Sequence, residues 1–219
     1  MFEGYTDETF EFFMAIRFNN NTDFFHTNHD WYARAVREPS LRLAEALSDT
    51  VEWLDENLER RPNRVVSRIN RDLRFSKDKS PYRDYIWLSF RYPGEMHSLT
   101  PEIYFSLSAE GASMGFGIYG ENRPMMDALR RRFRVEPQGF LECLTPLLND
   151  FTPFVRCFKR MAVPEDLHPA LKMWYPLKSF YLERPMKDFE LLKSPELADF
   201  IASGIRQLAP LHRYMRTCE

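Results

Sequence analysis

The chain is poor in glycine, with eight among 219 residues, and poorer in cysteine, with three. So few glycines disfavour the all-β architectures whose tight turns depend on positive φ. Cys143, Cys157 and Cys218 are odd in number and far apart, and none forms a CxxC or Cys/His pair at zinc spacing. Reduced thiols in a cytosolic protein are expected, with no structural metal and no cofactor. No apolar run approaches the roughly 18 residues of a membrane span. The opening MFEGYTDETF lacks the basic start of a secretory signal. Net charge is nearly absent as well: 30 Lys and Arg against 32 Asp and Glu leave −2. That balance disfavours nucleic acid as a general partner. A soluble, cytoplasmic protein without membrane contact is the expectation; its oligomeric state is not legible.

What is abundant is aromatic and chain-breaking. Nineteen Phe and fifteen Pro sit in a composition that is 44% hydrophobic and 28% charged. This is a globular chain able to bury a core, and no repeat or polar linker divides it, so one domain over 1–219 is expected. Thr6 or Asp7 starts a first helix, with Phe10, Phe13, Met14 and Phe18 as its apolar stripe. A second helix runs from Thr22 or Asp23 to about Arg37, before Pro39, and a third carries Leu41 to Leu54. Short β-branched or alternating stretches follow at 64–69, 82–92, 103–107 and 112–119. Pro124 opens a helix, another covers Gly139 to Leu148, Ser179 to Arg184 reads as a last strand, and Ser194-Pro195 opens a final helix to about Leu208. The class is α+β: an antiparallel central sheet of about four to five strands, a helical N-terminal third and C-terminal helices.

Charge is uneven along the chain. Between Arg64 and Arg83 stand seven Arg or Lys and two Asp, a local surplus of five, so the remainder carries −7. Pro81 keeps Ser80 out of the helical region, which puts Asp72 to Ser80 on the connection between two strands. Arg68, Arg71, Arg74, Lys77 and Lys79 would supply donors to a phosphate or carboxylate, the arginines as planar forks and the lysines as point charges. Ser76, Ser80 and Tyr82 would add hydroxyls, while Asp72 and Asp78 offset the crowded cations. The opposed reading is a salt-bridge network that pins the connection, in a structural or protein-interaction domain. A third reading is an enzyme of phosphoryl or phosphodiester chemistry, with Asp72, Asp78 or Tyr82 as the catalytic group.

Arg68, Arg71, Asp72, Arg74, Phe75, Asp78, Lys79 and Tyr82 together resemble the signature of an uncharacterised bacterial family, domain of unknown function 2461. Its hallmark is RxxRDxRF followed by a carboxylate or amide, Lys and Tyr. Phe2-x-Gly4-Tyr5, Asn19-Asn20 ahead of Phe24-Phe25, Phe116-Gly117-Ile118-Tyr119 and Pro176-Leu-Lys-Ser-Phe180 look like further family features. Two stretches depart from the pattern, Thr22-Asp23-Phe24-Phe25 and Lys159-Arg160-Met-Ala-Val-Pro. The resemblance implies a fold and a conspicuous site, without an activity.

Four other signals have plainer readings. Gly115 to Gly120 satisfies GxGxxG, but inside a strand and without a βαβ unit, so Gly115 and Gly117 are expected to mark a place where a side chain or ligand lies close over the sheet. His26 and His29 share a helix face, with no third ligand at telling spacing. Phe24, Phe25, Trp31 and Tyr32 form either a stacking platform or, as helical spacing favours, core. Arg130, Arg131, Arg132 and Arg134 point around a helix and are expected mostly in solvent.

Overall fold

The computed structural model describes residues 1–74, 78–95 and 99–217. The elements in chain order are α1 (Asp7–Phe18), α2 (Thr22–Thr27), α3 (His29–Tyr32), α4 (Glu38–Ala46), α5 (Ser48–Leu54) and α6 (Pro62–Val65). Then come β1 (Tyr85–Phe90), β2 (Glu102–Ser108), β3 (Gly111–Ile118), α7 (Arg123–Val135), α8 (Pro137–Leu144) and β4 (Thr152–Cys157). β5 (Leu177–Met186), α9 (Phe189–Leu192) and α10 (Glu196–Arg216) complete the chain. The fold is α+β, with an antiparallel five-stranded sheet in the order β1-β2-β3-β5-β4. Among the described residues, no helix is long and apolar enough to cross a membrane.

The chain forms two compact units, the first made of Met1–Phe90, Tyr104–Met114 and Pro185–Ser203, the second of Arg91–Ile103, Gly115–Arg184 and Gly204–Glu219. In the first, Phe12, Phe13, Ile16, Val36, Leu43, Val51, Ile86 and Leu88 are wholly buried. Tyr5 stacks on Phe105 at 6.4 Å and shares a 3.1 Å hydrogen bond with Ser40; burial pushes its phenol well above the usual range. In the second, Phe133, Phe140, Trp174 and Phe180 interlock edge-on and tilted, with ring centroids 4.9–6.3 Å apart. Such pairs add to the burial of large apolar surfaces.

Several expectations need correction. The buried face of α1 is Thr9, Phe12, Phe13 and Ile16, so Met14 and Phe18 are exposed and only Phe13 of the expected stripe is buried. Pro39 does not end a helix. It lies in the first turn of α4, and a π-helical turn, Ala33–Arg37, precedes it; a proline without an N–H is tolerated there. The stretch 64–69 is no strand: α6 is followed by isolated bridges, Val66 to Leu88 and Asn70 to Tyr82. α10 runs through Pro210 to Arg216, beyond the expected end. β4 was not expected at all. Its Pro153 is tolerated because β4 is the last strand of the sheet, where part of the backbone N–H groups have no partner strand.

The close approach falls at Gly117, and the neighbour is the backbone of the adjacent strand, not a side chain or ligand over the sheet. Gly117 lies on β3 at φ 155°, and a Cβ there would stand 2.4 Å from both the Phe180 carbonyl oxygen and Tyr181 Cα. Gly117→Ala should therefore cost about 2–3 kcal/mol through backbone strain and forced strand separation. The thermal midpoint should fall by roughly 5–10 °C; an unchanged midpoint would show that β5 can move aside.

Candidate functional site

The basic connection is held through the backbone of one residue, Tyr82. Asn20 donates from Nδ2 to the Tyr82 carbonyl and accepts at Oδ1 from the Tyr82 N–H, both at 3.0 Å. Arg71 Nη2 donates to the same carbonyl at 3.3 Å. The Arg71 N–H reaches the Pro81 carbonyl and the Arg83 N–H the Ile69 carbonyl, each at 2.8 Å. Tyr82 itself is buried, its ring stacked on Phe25 at 4.2 Å. It serves the segment through its backbone and ring.

The charges are paired at short range. Arg71 binds Asp78 through Nη1. Asp78 also accepts from the Ser80 hydroxyl at 2.6 Å and the Ser80 N–H at 2.9 Å, and these, with the Arg71 charge, hold its carboxyl below the usual range. Arg74 makes a two-pronged contact with Asp72 at 2.7 and 3.0 Å, which holds that carboxyl down to about 2. Lys79 Nζ donates to the Leu73 carbonyl at 3.0 Å, and Arg83 Nη1 to the Arg68 carbonyl at 2.8 Å. Arg68 is exposed and its charge also depresses Asp72. Lys77, with Phe75 and Ser76, lies outside the described residues, as does Cys218. The Arg71 side chain is 25% exposed, and its Nε is buried without a hydrogen-bond partner among the described residues.

His29 stands edge-on to Phe25 at 5.8 Å, one ring removed from Tyr82, and its Nδ1 is 3.6 Å from Asp30. Among the described residues no group of three His, Cys, Asp or Glu gathers where a metal would bind. Phe25 and Tyr32 are buried, and Trp31 packs edge-on against Phe12 at 5.4 Å, so these rings are core. Below the connection, Arg17 bridges Asp84 at 2.6 Å and Glu110, and holds the Glu110 carboxyl down to about 2.

The second unit holds a cationic cleft that the sequence reading passed over. It measures about 720 Å³ and is lined by Arg123, Arg156, Cys157, Phe158, Lys159, Arg160, Met161 and Lys178. β4 delivers Arg156, and the register with β5 slips between Arg156 and Cys157, so the chain turns out of the ladder there. The Phe158 N–H then anchors on the Pro176 carbonyl at 2.8 Å, and Lys178 Nζ lies 4.6 Å from the Phe158 ring centroid. Lys178 meets Glu121 at 3.3 Å and Arg123 meets Asp127 at 4.0 Å. Arg156, Lys159 and Arg160 are exposed and have no carboxylate partner among the described residues. Burial pushes the Cys157 thiol up, which makes it a poor nucleophile. A signal existed: no Asp or Glu occurs between Asp150 and Glu165, a stretch that contains Arg156, Lys159 and Arg160.

Of the helical arginines, Arg131 and Arg134 are exposed as expected and Arg130 departs from the expectation. Arg130 is buried, donates to the Tyr175 carbonyl at 2.8 Å and pairs with Asp127. Arg132 lies over the Tyr214 ring at 3.8 Å, and Arg134 reaches Asp166 at 3.6 Å.

A family model described as conserved hypothetical protein (DUF2461) matches residues 8–214. The chain belongs to this family. No curated protein matches the sequence. Family membership brings no chemistry with it, so the chemistry is argued from the geometry above.

Glu110 titrates near 4.5 when unfolded and at about 2 in the fold. The unfolded chain therefore takes up that proton first, and the stabilisation is present above pH 4.5 and lost as pH falls toward 2. Chemical denaturation between those limits should show a shallower loss for Glu110→Gln than for the parent chain. Equal slopes would mean that Arg17 does not hold the carboxylate in solution.

Proposed function

We propose that the protein binds a small phosphate- or carboxylate-bearing ligand in the cleft lined by Arg123, Arg156, Lys159, Arg160 and Lys178. The observation that carries this reading is the charge imbalance of that lining: five cations and no acidic residue. Like charges brought around one hollow repel, and a multivalent anion relieves that repulsion while using the planar donors of arginine. The volume falls within the range of small-molecule sites. Unpaired cysteines favour a reducing, cytoplasmic setting. Binding is better supported than turnover. Asp72 and Asp78 already accept from Arg74, Arg71 and Ser80, Tyr82 is buried, and the cleft's own thiol is held protonated.

Inorganic pyrophosphate should raise the thermal midpoint above that in sodium chloride of equal ionic strength. At a hundredfold excess over Kd the expected gain is about 2.7 kcal/mol, or roughly 5–10 °C. Arg156→Ala with Arg160→Ala should abolish the rise, and Arg74→Ala should leave it. No rise in the parent chain, or a rise lost only with Arg74→Ala, counts against the cleft.

A second reading covers the basic segment as an internal network that pins the chain to the sheet. It is favoured by the convergence of Asn20 and Arg71 on the backbone of one residue, Tyr82. Asn20→Ala leaves two backbone groups without their partner and should lower the urea-unfolding free energy by about 1–3 kcal/mol, with the pyrophosphate response intact. A stable variant that no longer responds to pyrophosphate would reverse the assignment of the two regions.

A further inference from the structure

An exposed stack of rings crosses the sheet beside the cleft. Tyr119, just after β3, lies 5.3 Å from Tyr181 on β5, and Tyr181 lies 5.0 Å from Phe154 on β4, the last pair only 9° from parallel. Tyr119 is 58% exposed and Phe154 43%, an unusual outlay of aromatic surface in water. The stack is unfinished at one end. Tyr181 has a stacked neighbour on each side, but β4 is the last strand of the sheet, so among the described residues no further strand supplies a ring beyond Phe154. Phe154 pairs with Tyr181 and Arg156 with Ser179, so ring and guanidinium project from the same face of β4, two residues apart, about 7 Å. The next cations along the chain, Lys159 and Arg160, line the cleft.

We propose that the cleft's ligand is a free nucleotide, its base extending the ring stack on the outer side of Phe154 and its phosphate held by Arg156 and Arg160. This rests on the reading of the cleft as an anion site and adds the requirement for a planar group. A flat heterocycle satisfies the open ring face and a phosphate satisfies the cations, while the ribose spans the interval between them. Any base suffices, because stacking uses the π-face common to all of them. One free ring face accepts one base, which commits the site to a nucleotide over a strand with successive stacked bases.

The test compares AMP with ribose 5-phosphate, which differ only in the base, by calorimetric titration at fixed ionic strength. AMP should bind roughly tenfold more tightly. Phe154→Ala should bring AMP down to the level of ribose 5-phosphate without changing the latter, and Phe154→Trp should restore the preference. Arg156→Ala should weaken both ligands. Equal affinities in the parent chain, with pyrophosphate still raising the thermal midpoint, overturn the nucleotide and leave the anion site standing. No response to AMP, ribose 5-phosphate or pyrophosphate overturns both. A short single-stranded oligonucleotide preferred over AMP at physiological salt overturns the free nucleotide.

Discussion

The basic connection depends on the backbone N–H and C=O of Tyr82. Between α6 and β1 the described residues make one isolated bridge to β1, Val66 to Leu88, and one within the segment, Asn70 to Tyr82, so several polar backbone groups take side-chain partners. Asn20 supplies an amide that matches the N–H and the C=O of Tyr82 at once, and Arg71 donates to the same carbonyl. Phe25 covers the ring below. Arg71 can enter this half-buried position because Asp78 neutralises it, and Asp78 is aligned in turn by Ser80. Each member orients the next, which is the condition under which a polar network adds stability.

The two basic regions show that a surplus of charge differs from available charge. In the connection, Asp72 and Asp78 are close in sequence to the arginines they bind, so local geometry pairs them before any ligand arrives. Those contacts are largely exposed and each contributes little to stability. Their consequence is positional: the Arg71 and Arg74 guanidinium groups are turned onto the carboxylates of Asp78 and Asp72. In the cleft the nearest carboxylates, Glu121 and Asp127, engage Lys178 and Arg123 at the margin. Arg156, Lys159 and Arg160 come from a strand end and the turn after it, where no neighbouring acid competes.

Most of the element types were legible, and the errors have common causes. α1 reads as a helix from Asp7 onward, but Phe10, Phe12, Phe13, Met14, Ile16 and Phe18 satisfy more than one helical phase. Only packing decides that Phe12 and Ile16 turn inward. β4 was hidden by Pro153, because a proline argues against a strand unless that strand is known to be an edge. The same gap hid the cleft: with no strand at 152–157, Arg156 and Lys178 had no common surface. The motif around Arg71 was legible as a charged cluster, whereas its pairing was not. Whether Asp78 faces Arg71 or solvent depends on how the chain bends at Ser80 and Pro81.

Aromatic residues repeat the lesson in the opposite sense. Phe24, Phe25, Trp31 and Tyr32 are neighbours in sequence, and helical spacing turns them mostly into core. Tyr119, Phe154 and Tyr181 are scattered along the chain, and sheet register brings them into one stack. Gly117 takes part in this. Lacking a Cβ, it lets β5 approach within 2.4 Å of where that atom would stand, at Phe180 and Tyr181. A side chain there would force Tyr181 away from β3, and Tyr181 is the ring that joins Tyr119 to Phe154. The glycine-rich stretch that mimics a dinucleotide fingerprint thus does not cradle phosphate in its own backbone; it permits the close strand approach that sets the rings in line.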